Sequence, residues 1–264
     1  MGDLDAQARA LLALSAVYVF RGEYGKAANT TRQLREIADE IGNPLIAVGA
    51  ERRLGITLIT IGRLAEAQRC FERVIGSSLL LEGERLPIWW QSGDRVIARA
   101  MLARALRLQG FAERAHNETR ASLDELQSAD DKVTICRVLY YGICRIAPMT
   151  GDFAAAESAI ARLVEEATSL NARFWMTAGQ FLQGKLMVAR GEFAEGLALL
   201  CAAFTTCSET GWRLSYPEFS GSLALALAPY RADSGQENGP GAGLGLVRDA
   251  RRPSSGDPPP ARDL

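Results

Sequence analysis

The sequence predicts an all-α chain of stacked helical hairpins, an α-solenoid of about five and a half repeats. Three observations predict it. A glycine-led motif recurs as Gly22-Glu23-Tyr24-Gly25-Lys26-Ala27, Gly62-Arg63-Leu64-Ala65-Glu66-Ala67, Gly110-Phe111-Ala112-Glu113-Arg114-Ala115, Gly151-Asp152-Phe153-Ala154-Ala155-Ala156 and Gly191-Glu192-Phe193-Ala194-Glu195-Gly196. Its glycines are separated by 40, 48, 41 and 40 residues, a period that signals repeat architectures. Five places after each glycine stands a small residue, Ala27, Ala67, Ala115, Ala156 or Gly196.

Each motif position has a physical task. The glycine ends a helix in a left-handed conformation that costs it no Cβ strain. Asp152 or Glu192 then opens the next helix and complements its dipole. Tyr24, Leu64, Phe153 or Phe193 packs back on the preceding helix, and the small residue lets two helices approach closely.

Taken in order, the first pair spans about 3–21 and 24–41, with Leu11, Leu14, Val17 and Tyr18 spaced for one helical face. Pro44 opens the second pair, which runs through Leu54, Leu58, Ala67, Phe71 and Val74. The long interval hides an insertion of about eight residues, placed at 82–93 by Pro87 and two glycines. The third pair carries Met101, Leu102, Leu106, Leu123 and Leu126. The fourth covers about 131–149 and 153–169, and Pro148 should kink or shorten its first helix. The fifth covers about 172–190 and 193–210. A sixth first helix, about 215–228, carries Leu223, Leu225 and Leu227. Its motif glycine is due near 231, but 231–264 hold six Gly and five Pro instead. The domain therefore reads as 1–229, and 230–264 as a disordered Gly/Pro/Arg-rich tail. Without a partner helix, Leu223, Leu225 and Leu227 should leave an apolar edge open to self-association.

Composition excludes several function classes. Formal net charge is −1 over 264 residues, so no global field draws the chain to nucleic acid or to a membrane surface. Lysine occurs only at Lys26, Lys132 and Lys185, so nearly all positive charge is Arg. No run of 18 apolar residues exists to span a membrane. Residues 10–20 are apolar enough for a signal segment, but Asp3 and Asp5 stand where a basic flank belongs, and a core helix in a cytoplasmic chain is the reading. Cys70, Cys136, Cys144, Cys201 and Cys207 form no Cys-x-x-Cys and read as buried free thiols, with no metal site. His116, the one histidine, has no nucleophile or paired acid beside it and reads as a surface residue. Asp130 and Asp131 suit helix capping, with Ser128 as competitor. Gly239 to Gly245 is glycine-rich but lacks the Lys-Ser/Thr of a phosphate loop. No catalytic residue and no cofactor site is expected.

Leu54-Gly55, Leu58, Gly62, Ala67 and Phe71 match the residue classes of the tetratricopeptide consensus. Segments 103–111, 151–157 and 190–197 resemble the C-terminal repeat region of bacterial winged-helix, P-loop ATPase transcriptional regulators, and cyclase-linked relatives look alike. The resemblance covers about 44–228 and implies a right-handed superhelix that serves regulation and signal transduction. There is no phosphate loop and no room for the DNA-binding and ATPase domains, so the expectation is a truncated or frame-shifted fragment of such a regulator.

In tetratricopeptide stacks the first helix of each pair lines the concave groove. The family's groove-facing offsets fall on Arg52, Arg104, Arg107, Tyr141, Arg145 and Lys185. Arg104, Arg145 and Lys185 all stand six places before a motif glycine, a row of cations suited to an acidic protein or peptide. The alternative is a solvated polar face. Exchanging Arg104 and Arg145 for Glu should then abolish binding and leave thermal stability nearly unchanged. A second reading has Arg104, Arg145 and Tyr141 gripping a small anionic ligand. Trp89 and Trp90 either cover a neighbouring helix end or anchor a partner.

Overall fold

The structure, a computed structural model, describes residues 2–77, 93–127, 131–214 and 216–232. Trp89, Trp90, most of the predicted insertion, Ser128, Asp130 and the tail from 233 onward lie outside the described residues. Among the described residues there is no strand. The helices are α1 (Gly2–Phe20), α2 (Tyr24–Glu40), α3 (Pro44–Thr60), α4 (Leu64–Ile75), α5 (Asp94–Leu108) and α6 (Ala112–Gln127), then α7 (132–150), α8 (Phe153–Ser169), α9 (Arg173–Ala189), α10 (Phe193–Thr210) and α11 (Tyr216–Ala232). Most pack chiefly on their neighbours in chain order, although α7 leans on α5 more than on α6, and the stack of hairpins read from the sequence is present.

The five motif glycines all adopt positive φ, from 75° at Gly22 to 91° at Gly110. At each, the residue after the glycine donates its N–H back across the helix end, as Arg63 does to the Leu58 carbonyl at 2.9 Å and Glu192 to Met187 at 2.9 Å. That bond satisfies a carbonyl the ending helix leaves open. The periodicity conceals a second set of turns. Gly42, Asn171 and Gly211 also have positive φ, at 63°, 49° and 71°. Each closes the gap between one hairpin and the next, so the chain reverses about every 20 residues.

The small residues after the turns do what their size allows. Ala27, Ala67 and Ala156 are fully buried. A Cβ on Gly196 would lie 2.7 Å from Val188 Cγ2 and 2.9 Å from the Gly184 carbonyl. Here α9 and α10 touch backbone to backbone.

Three expectations change. α1 buries Ala8, Ser15 and Val19, whereas Leu14 and Val17 are exposed. α1 is apolar on most of its sides, so residue spacing did not single out its inner face. α7 is not one α-helix. It runs α over Lys132–Val138, widens to a π turn over Leu139–Ile143, recovers over Cys144–Ile146 and tightens to 3₁₀ over Ala147–Thr150. Pro148 explains the tight end. At the wide turn Gly142 lies against α5, where a Cβ would meet Ala100 Cβ at 2.8 Å. Finally, α11 continues to Ala232 and is not an open apolar edge, because Leu223 and Leu227 are buried and Leu225 alone of the three is exposed, at 70%. Phe219 of α11 stacks on Phe181 of α9 with centroids 3.5 Å apart.

One apolar core runs from Ile56 in α3 to Leu227 in α11, and a smaller one joins α1, α2 and α3. A third cluster ties the two ends of the stack together. Val19, Ala27 and Leu214 pack with Tyr18, Phe20 and Phe174, and the Phe20 carbonyl accepts from Arg213 N at 2.7 Å and Leu214 N at 3.2 Å.

Glycine substitutions separate these roles in thermal unfolding. Gly196→Ala should cost about 1–3 kcal/mol through overpacking against backbone. Gly62→Ala meets open space and should cost only the left-handed strain, about 1–2 kcal/mol. Gly221→Ala, within α11 and also in open space, should stabilise by about 1 kcal/mol.

Candidate recognition site

Odd-numbered helices touch one another along the stack, α1 on α3, α3 on α5, α5 on α7 and α9 on α11, and the layer they form is called the inner face; charged groups collect there. Glu51, Arg52 and Arg53 are consecutive in α3 and meet different fates. Glu51 is buried and accepts from Arg35 of α2 and, at 2.6 Å, from Arg73 of α4. Arg52 pairs with Asp94 at the start of α5 at 2.8 Å, and both side chains are almost wholly buried. Arg53 makes no ion pair among the described residues, and its Nε is buried without a hydrogen-bond partner.

Farther along, Glu218 of α11 reaches into the row of cations. Its carboxylate is shared by Arg145 of α7 and, at 2.7 Å, by Lys185 of α9. Arg145 Nε also donates to the Tyr140 carbonyl at 3.0 Å, and its guanidinium lies 4.5 Å from the centre of the Tyr140 ring. Burial opposes ionisation of Glu218, but Arg145 and Lys185 outweigh it and hold the carboxyl far below the usual range. Burial likewise opposes the charge of Arg145, while Tyr140 and Glu218 more than restore it and raise its pKa. Arg104, with no carboxylate of its own among the described residues, is pushed down to about 10 by burial and by the nearby Arg145. Burial and then Arg52 depress Arg53 to about 10 and lower Arg137 as well.

Aromatic rings support this face. Phe174 makes edge contacts with Phe20, Tyr140, Trp175 and Trp212 at centroid distances of 4.7 to 6.0 Å. Tyr140 and Tyr141 lie edge to face at 5.0 Å.

Of the residues picked from the sequence, Arg145 and Lys185 therefore converge on one carboxylate, and Arg104 stands in the same field. Arg52 is committed to Asp94. Arg107 donates to the Met149 carbonyl at 2.7 Å and braces the end of α7 instead of joining the cluster. Tyr141 is half-buried on α7. The expected indifference of stability to Arg145→Glu is overturned, because Arg145 is a buried, doubly engaged side chain and not a solvated one. Sequence reasoning missed Arg53, Asp94, Arg137, Tyr140 and Glu218. A carboxylate in the first turn of an inner-face helix was the available signal for Glu218.

The remaining candidates stay apart. Cys70, Cys136, Cys144 and Cys207 are buried free thiols and Cys201 is half-buried. Burial raises Cys144 to about 12. His116 is exposed on α6. Asp131 caps α7, accepting from Val133 N at 3.2 Å and Thr134 N at 3.1 Å. Among the described residues no three or more His, Cys, Asp or Glu side chains gather as around a metal ion, and no helix is long and apolar enough to cross a membrane.

The chain matches none of the known family models, and comparison with curated proteins returns no match.

Two variants test the buried pairs. Asp94→Ala should cost about 3–5 kcal/mol in denaturant unfolding by stranding Arg52, and a paired apolar replacement of both should recover most of it. Glu218→Gln should cost about 1–3 kcal/mol at pH 7. A depressed folded pKa adds stability above the unfolded value, about 4.3, and loses it as pH falls through the folded value. Acidification from pH 6 to 3 should therefore destabilise the parent protein more than Glu218→Gln, as read by unfolding midpoints.

Proposed function

We propose that this chain is a non-catalytic protein-interaction scaffold, a right-handed tetratricopeptide-type solenoid whose inner face takes an acidic segment of a partner. The reading extends to the regulatory or sensor repeat portion of an ATPase-type transcriptional regulator acting in the cytoplasm. The observation that carries it is Glu218. The inner face already grips one carboxylate, brought by a helix, between Arg145 and Lys185. Charge-assisted bonds of this kind are the strong ones in peptide recognition.

A second reading of the same face is a sensor for a small anionic ligand. The low pKa of Arg104 and its lack of an ion pair among the described residues favour it.

Binding of fluorescent Glu-rich helical peptides, followed by anisotropy, tests the first reading. Lys185→Glu should weaken the complex by at least about tenfold, whereas Glu218→Gln, which releases two cations, should tighten it. Equal affinity across parent, Lys185→Glu and Glu218→Gln proteins would remove the inner face from consideration.

A further inference from the structure

Away from the Glu218 cluster, α8 and α9 do not close fully on one another. A groove of about 490 Å³ lies between them, within the size range of small-molecule sites. Its floor is apolar: Ile160 and Leu186 are buried there, and Val164 and Met187 are half-buried. The two helices run antiparallel, and this fixes the two ends of the groove. Near one end Val164 packs against Gly179, where a Cβ would lie 2.5 Å from Val164 Cγ2. At the other, Arg190 donates to the Glu157 carboxylate at 2.8 Å and to the Phe153 carbonyl at 3.3 Å. Neither Arg145 nor Lys185 lines this groove.

Carboxylates stand at both ends. Glu165 follows Val164 at the first. Glu157 and Glu192 mark the second, where the Glu192 N–H donates to the Met187 carbonyl at 2.9 Å. Arg190, the cation of the lining, is engaged by Glu157. Glu165 and Glu192 have no ion pair among the described residues, and the Glu192 side chain does not cap α10. The described lining thus sets three carboxylates against one guanidinium. Glu157 and Glu165 are eight positions apart on α8, which separates the two acidic ends by about 12 Å.

We propose that this groove binds a linear aliphatic diamine of the polyamine type, with an ammonium group at each acidic end and the methylene chain along the apolar floor. The net charge of the walls repels an anion. A neutral apolar molecule would displace water from Glu165 and Glu192 without replacing its hydrogen bonds. A dication with a long apolar spacer meets both requirements. Extended 1,8-diaminooctane holds its nitrogens nearly as far apart as the two acidic ends, whereas 1,4-diaminobutane reaches one end only. The site is separate from the inner face, and the proposal does not rest on the acidic partner or the small anion proposed there.

Methionine-methyl NMR of the whole chain at low, constant ionic strength tests it, with Met187→Leu assigning the signal. 1,8-Diaminooctane should shift the Met187 methyl saturably and leave that of Met101, buried in the core, unmoved. 1,4-Diaminobutane should bind at least about tenfold more weakly, since it covers less of the floor. Octylamine should bind about threefold more weakly for want of one ammonium–carboxylate pair. Glu165 is exposed, so Glu165→Gln should leave the fold intact. It should weaken the diamine about threefold and erase its advantage over octylamine. An unmoved Met187 signal overturns the site. Equal affinity for the three amines, or for the parent protein and Glu165→Gln, overturns the dication. A Lys-rich helical peptide that moves the signal at lower concentration than the diamine overturns the small-molecule assignment.

Discussion

The three-residue reversal, with one residue in the left-handed region, is the constraint on which the structure depends. It ends a helix, satisfies the carbonyl the helix leaves behind and starts the next helix antiparallel to the last. Positive φ at Gly22, Gly42, Gly62, Gly110, Gly151, Asn171, Gly191 and Gly211 repeats this operation along the chain. Residues with a Cβ adopt this conformation reluctantly, and Asn is the usual exception. The positions of the reversals thus set helix length at about 17 residues, and helix length sets which side chains share the inner face.

From that register follows the charge arrangement inside. Arg104, Arg145 and Lys185 come from α5, α7 and α9, each six places before a turn glycine, and a row of like charges in a partly buried setting is unstable by itself. The fold answers unevenly. Asp94 neutralises Arg52, Glu218 bridges Arg145 and Lys185, and Arg53, Arg104 and Arg137 are left with depressed pKa values. Purely structural pairing would have balanced these charges, or replaced them by apolar side chains at little cost.

Hairpin order, helix limits within about two residues in the first, fourth and fifth hairpins, and the burial of Ala27, Ala67, Ala115 and Ala156 were legible because each rests on a local rule: a glycine turn, a helical period, a small residue at a contact. Arg104, Arg145 and Lys185 were legible by counting from the same glycines. What they do was not. Glu218 meets Arg145 across 73 positions of sequence, and no local spacing reports such a meeting. The π turn was equally hidden, since Leu139-Tyr140-Tyr141-Gly142-Ile143 reads as ordinary helix until Gly142 is seen against Ala100. Nor could the burial of Leu223 and Leu227 be inferred from a helix thought to lack a partner.

Stacks of hairpins ordinarily melt inward from whichever terminus is weaker, since each unit leans only on its neighbours. The bonds from Arg213 and Leu214 to the Phe20 carbonyl change the bookkeeping, because they join the first hairpin to the loop before α11. Peeling away α1 now costs contacts at the far end as well. The latch must form late, once most of the polymer has been gathered, since closing so long a loop carries the largest entropic toll. Once shut, it turns an open spring into a hoop, whose termini hold or let go together.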